Sequence, residues 1–237
     1  MKTNHSVLWD EKISVIRFSG EGNKVFLNGQ ITIDVINAET GIFHHACWLD
    51  SFGRLRAILE IKLEDTFADV YVLSGKSEEF KYELEKIIFP ADKVTIESCF
   101  QARRIQLIDN KSPRFSDIEW VAYDDLLPNQ FQQFPIASEN QISRWRMIKG
   151  IPKILDAFTA SLNPFEMGLA ELINRDKGCY LGQEVIARII RKFIMKKQLT
   201  FWESDKNLSS GSMLFVNNSY SEKKKCAVIL FSLCNHD

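Results

Sequence analysis

The chain lacks a net charge of either sign, since 30 lysines and arginines stand against 31 aspartates and glutamates. No global field draws it to nucleic acid or to an anionic membrane, so direct contact with either would have to be a local patch. Paired cysteines are missing as well. Cys47, Cys99, Cys179, Cys226 and Cys234 are odd in number and widely scattered, without a Cys-x-x-Cys. That pattern signals neither a disulfide framework nor a zinc site, and it cannot be read as a set of cluster ligands, so no bound metal is expected. No apolar run is long enough to cross a bilayer, and Met1 to Asp10 shows neither an apolar h-region nor an Arg-rich presequence. The expected location is cytoplasmic, with an organellar matrix as the alternative. The glycine fingerprint of a dinucleotide-binding turn is also missing.

What remains is an ordinary globular composition, 45% hydrophobic and 26% charged, in 237 residues, enough for one large domain or two to three intimate subdomains. β-branched and aromatic runs predict strands over 13–18, 43–49, 55–63, 67–73, 94–99, 103–108 and 118–122. Ser51-Phe52-Gly53-Arg54 reads as a hairpin turn. A short helix is expected before Gly29 as its C-cap, and another from an N-cap at Ser77 to Ile88, stopping before Pro90. Glu139 to Lys149 has Ile142, Trp145 and Ile148 three apart and reads as a helix ended by Gly150. Polar, proline-bearing stretches at 109–116 and 123–135 read as surface connections. The mixture is α+β. His44 and His45 are adjacent on a strand and point to opposite faces, so they are structural and not a shared metal site.

The most unusual stretch is Lys177-Gly178-Cys179-Tyr180-Leu181-Gly182-Gln183-Glu184, a glycine-bracketed turn that runs into a helix from Val185 to Lys192. A thiol just before a helix N-terminus is a place where a thiolate is favoured, although most free cysteines are small buried hydrophobes and spacing alone supports that reading. The basic cluster that follows, Arg191 to Lys197, reads either as a solvated helix end or as a handle for an anionic partner. Strands are expected at 198–203, 213–216 and 226–233, with turns at 209–211 and 217–225.

The octet and the Ala187-Arg188 pair resemble the signature of the YgfZ family, folate-binding relatives of the glycine-cleavage T-protein that support iron–sulfur cluster assembly and repair and were linked to tRNA modification. Further segments are similar to the superfamily in the same order: Phe26-Leu27-Asn28-Gly29-Gln30 with Thr32 and Asp34, then Arg146 to Pro152, then Asp156 with Asn163 to Leu169. The resemblance implies a T-protein-like folate-binding fold over 1–197, with subdomains of about 1–100 and 101–197, and a shortened C-terminal β-barrel over 198–237. It implies a tetrahydrofolate species as ligand and iron–sulfur assembly proteins or client enzymes as partners. Cys179 would be the functional residue, with Lys177 lowering its pKa. Arg146, Glu166, Tyr180, Gln183 and Arg188 would contact the folate or a partner, Gly178 and Gly182 would shape the loop, and Gln183 with Glu184 would cap the helix or serve structure alone.

In the aminomethyltransferases an acid stands beside the reacting folate nitrogen. Ala57 and Ile58 occupy the corresponding place and Ile148 replaces a second carboxylate, so an assembly factor is expected over a one-carbon transferase. A third reading is an RNA-associated module or a partner-binding scaffold without folate; the near-neutral charge disfavours direct RNA binding.

Overall fold

A computed structural model describes residues 6–97, 99–151 and 161–192, with the backbone of strands at 197–204, 219–221 and 224–232. A seven-stranded antiparallel sheet dominates, ordered β2(Phe43–Leu49)-β3(Leu55–Leu63)-β4(Phe67–Ser74)-β1(Val7–Ser19)-β6(Phe100–Ile108)-β7(Ile118–Ala122), with β5(Thr95–Ile96) also paired to β1. β1 begins at Val7 rather than at Ile13, because Val7 to Val15 pair with Ile108 to Phe100 along their whole length. The charged Asp10, Glu11 and Lys12 obscure that strand in sequence, and long-range pairing overrides their low strand propensity. The strand expected at 94–99 shrinks to two residues.

The sheet curls. Phe43 and Trp120 lie on the two outermost strands, which a flat sheet would hold roughly 24 Å apart, yet their ring centroids are 6.1 Å apart. Tyr71 closes the gap, 5.5 Å from Phe43 and 4.1 Å from Trp120. Right-handed twist accumulated across the strands brings the inner-face side chains together.

The outer face is covered by α1(Asn23–Gln30) and α2(Ser77–Glu85), whose Phe26, Leu27, Phe80 and Leu84 pack on Ile16, Phe18, Trp48, Leu59 and Val70. On the other face Trp9, Cys47, Ile58 and Ile108 meet Trp145 of α3(Glu139–Ile148), Leu162, Met167, Leu169 and Leu172, and then Tyr180 and Ile186. Fully burying a side chain of this size stabilises by about 1.5–3 kcal/mol.

Helix ends differ from expectation in two places. α1 runs through Gly29, which does not have positive φ, and closes on extended Ile31, whose N–H bonds Leu27. α2 begins at Ser77 but its N-cap is Lys76, without a side-chain cap bond, and it ends at Glu85 rather than Ile88. α3 ends before Gly150 as read, where Gly150 (φ 69°) and Ile151 donate to Met147 and Arg146 in a Schellman ending, and Ser138 with Gln141 adds a capping box at its start.

Beyond α4(Gln183–Lys192), β8(Lys197–Ser204), β9(Ser219–Ser221) and β10(Lys224–Ser232) form a separate three-stranded antiparallel sheet, ordered β8-β10-β9. β9 and the start of β10 fall where a turn is read in sequence, because pairing between them extends the chain there. The strand expected at 213–216 lies outside the described residues, as do Asp156 and residues 193–196.

Candidate functional site

The cysteine loop rests on the end of α1. At a helix C-terminus the last carbonyls have no partner within the helix. Here the Gly29 carbonyl accepts from the Leu181 N–H at 3.1 Å. The Lys177 ammonium donates to the carbonyls of Asn28 (2.6 Å), Ile31 (2.7 Å) and Ile33 (2.5 Å), using all three of its donors. A cation at this end also suits the helix dipole. Burial pushes Lys177 down to about 8, and Asp34 partly opposes that. The segment after α1 is tied to the same region: Thr32, fully buried, donates its hydroxyl to the Leu172 carbonyl at 2.6 Å and accepts from the Cys47 N–H at 2.8 Å.

On its other side the loop meets the β2–β3 turn. Asp50 Oδ1 accepts from the Phe52 and Arg54 N–H groups, and Gly53 has φ 71°. Gly182 has φ 81°, and a Cβ there would sit 2.5 Å from the Asp50 carbonyl oxygen and 3.1 Å from Gly53 Cα. Two glycines thus let two backbones touch. Gly178 differs, having open space around it and no positive φ.

Between these anchors lies the thiol. Lys177 and Tyr180 are each 7% exposed, whereas Cys179 is exposed. Tyr180 packs in the inner-face core with its ring centroid 5.0 Å from Lys177 Nζ, and burial pushes its hydroxyl up to about 12. Cys47 is fully buried, its thiol pushed far up by desolvation. Leu181 lines a groove of about 720 Å³ together with Gln30, Trp48, Asp50, Arg56 and Glu83.

The other residues singled out in sequence have definite places. Gln183 Nε2 donates to the Lys177 carbonyl at 3.4 Å and so braces the loop rather than capping the helix. Glu184 accepts from Arg188 at 2.8 Å, an exposed i,i+4 pair on α4. Glu166 accepts from the Asn163 N–H at 3.1 Å while Asn163 Oδ1 accepts from the Glu166 N–H, which closes a local turn. Arg146 is buried and donates to Ile151 O (2.9 Å), Glu11 (3.2 Å), Leu73 O and Ser74, joining α3 to β1 and β4. His44 bonds the Glu39 carbonyl, and His45 stacks on Phe115 at 3.9 Å. Ala57 and Ile58 are fully buried on opposite faces of the sheet.

Sequence reading missed a second polar group on the inner face. Glu60, Arg104 and Gln106 are 1%, 0% and 0% exposed. Arg104 lies 3.7 Å from Glu60, donates to Gln106 at 2.8 Å, and sits 4.2 Å over the Trp9 ring, with Arg146 5.1 Å from the same ring. Desolvation lowers both arginines to about 10. The signal was one glutamate inside the otherwise apolar core of β3 and an arginine pair, Arg103-Arg104, on a strand.

No family model matches the chain. It is 31% identical to an iron–sulfur cluster assembly factor IBA57 homologue, mitochondrial, of Debaryomyces hansenii, over 44% of this chain and 27% of that protein. It is 36% identical to the homologue of the same name in Scheffersomyces stipitis, over 43% of this chain and 24% of that one. The chain thus aligns with about a quarter of the length of these curated relatives. Its fold matches the glycine cleavage system aminomethyltransferase T of Bartonella henselae with a TM-score of 0.68 at 13% identity, over 97% of this chain and 79% of that one. The chain is thus similar in sequence to a part of the IBA57 homologues, and its α+β fold is one that an aminomethyltransferase shares.

Proposed function

We propose that this protein assists iron–sulfur cluster assembly or repair through Cys179 and binds a tetrahydrofolate species. The observation that carries the reading is the placement of the thiol: the residues on either side of the Gly178-Cys179 pair, Lys177 and Tyr180, are buried anchors, so the sulfur is presented outward from a fixed loop. One thiolate supplies one ligand, so the iron or cluster is cargo shared with thiolates of an assembly partner or client. The groove beside Leu181 offers that partner an adjacent surface. The names of the yeast relatives support the assembly role and place those proteins in mitochondria, so the compartment proposed for this chain is the cytosol or an organellar matrix.

For the folate, the inner face carries a buried polar group in which Glu60 lies 3.7 Å from Arg104 and 3.4 Å from His45 while Arg104 Nη2 has no hydrogen-bond partner, which suits a polar ligand. A bound tetrahydrofolate supplies a reduced pterin able to carry a one-carbon unit. Aminomethyl transfer is disfavoured, because Ala57 and Ile58 both serve the cores and neither can move a proton. An anaerobic assay with a [2Fe–2S]-loaded glutaredoxin as donor and an apo-[4Fe–4S] dehydratase as acceptor tests the assembly role. Enzyme activity should rise with the native chain and not with Cys179→Ser; equal activation by both would overturn the role of the thiol.

A further inference from the structure

Single apolar residues on a protein surface need no explanation, but several in one depression with a polar rim mark a place where another molecule sits. Such a depression lies on the outer side of the sheet, along α1 and α2. The groove beside Leu181 adjoins a second of about 570 Å³, since Gly29, Gln30 and Ile87 line both. In this trough Val25, Ile87 and Phe89 are 67%, 42% and 66% exposed. α1 puts Phe26 and Leu27 into the core beneath it and turns outward Val25, a β-branched residue that gives a helix no advantage. Phe89 precedes the helical turn at Pro90–Asp92, and there Asp92 holds its backbone N–H at 2.7 Å while the ring stands in solvent. The rim is acidic: Glu21, Asp50, Glu79, Glu83 and Asp92 line the trough, with Arg56 and Lys93 of opposite sign. Glu21 pairs with Lys93, Glu79 with Arg56 and Glu83 with Lys86. The Asp50 and Asp92 carboxylates accept from backbone N–H groups, and among the described residues neither has an ion-pair partner. One stands in each groove, so each groove keeps a negative charge that no cation offsets.

That charge repels nucleic acid, an anionic membrane and a polyglutamate tail, and it complements lysine and arginine. The trough also shares a wall with the cysteine loop. Gly29, which lines both grooves, accepts from the Leu181 N–H, and Leu181 lies two residues from Cys179. A segment lying in the trough is thereby led toward the exposed thiol. We infer that the trough docks a basic segment of the protein that exchanges iron with Cys179, with aliphatic side chains seated on Val25, Ile87 and Phe89 and with lysine or arginine set against Asp92 and Asp50. The identity of that partner rests on the assembly reading above, whereas the chemistry of the segment rests on the surface alone.

The test is selection from a random peptide library on the immobilised native chain, followed by fluorescence anisotropy of the selected peptides. They are titrated with the native chain, with Val25→Ser plus Phe89→Ser, with Glu83→Gln plus Asp92→Asn, and with Leu126→Ser, an exposed apolar residue outside the trough. Circular dichroism checks that each variant is folded. Selected peptides should carry aliphatic residues flanked by lysine or arginine. Loss of Val25 and Phe89 should weaken binding about tenfold or more, loss of the two acids should flatten its salt dependence, and Leu126→Ser should bind as the native chain does. Selected peptides without basic residues, or equal binding after loss of Val25 and Phe89, would overturn the inference. So would a native chain that sediments as a dimer and becomes a monomer in that same variant, because the occupant would then be a second copy. In the glutaredoxin-to-dehydratase assay the selected peptide should inhibit activation. Activation that depends on Cys179 but ignores the peptide would remove the partner from the trough and leave the assembly role standing. Peptide binding alongside equal activation by the native chain and Cys179→Ser would do the reverse.

Discussion

Lys177 Nζ lies 2.6 Å from the carbonyl oxygen of Asn28, and this contact joins two motifs separated by 149 residues. The lysine that precedes the exposed thiol does not turn its charge outward. It closes the C-terminus of α1 and pins the loop to the strand-proximal segment at Ile31 and Ile33. All three of its donors are engaged by backbone carbonyls.

Lys177→Met should destabilise the fold by about 2–4 kcal/mol, because three carbonyls lose a charged donor in a buried place. Chemical denaturation measures this. The pH dependence has a definite sign. With Lys177 at about 8 in the folded chain against 10.5 for an ordinary lysine, the unfolded chain binds more protons between these values. Its contribution to stability therefore grows as pH rises from about 8 to 10.5 and is lost on returning below 8. The native chain should gain stability relative to Lys177→Met across that window, and parallel profiles would refute the assignment.

Gly182→Ala should cost more than about 2 kcal/mol, since it combines positive φ with a Cβ 2.5 Å from the Asp50 carbonyl oxygen. Gly178→Ala meets nothing within 4 Å and should change stability by less than about 0.5 kcal/mol. Thermal unfolding of the two variants side by side decides.

Thr32→Val keeps the shape of the side chain but removes the donor to Leu172 and the acceptor for Cys47 N–H, both buried. A loss of about 2–3 kcal/mol is expected in denaturant titration. A neutral outcome would show that the surrounding backbone finds other partners.

Alkylation of the native chain with N-ethylmaleimide, mapped by peptide mass spectrometry, should label Cys179 fast and Cys99, half-buried, more slowly. Cys47 should react only after unfolding, because it is buried and its thiol is held protonated. Early labelling of Cys47 would contradict the packing of the inner-face core.

Local order was legible in the residues themselves. β-branched and aromatic runs located β2, β3, β4 and β7, Gly150 marked the end of α3, and the glycine-bracketed octet marked the loop, because strand propensity, helix termination and positive φ are set by neighbours in sequence. The full length of β1, the curl that brings Phe43 to Trp120, and the meeting of Gly182 with Gly53 were decided by pairing between distant strands, and no local pattern encodes such contacts. The same holds for the site. The chain identifies Cys179 as unusual, but only the folded molecule buries Lys177 and Tyr180 on either side and leaves the sulfur exposed. Likewise Glu60 and Arg104 are ordinary charges in sequence and become a buried polar pair only when the sheet closes over them.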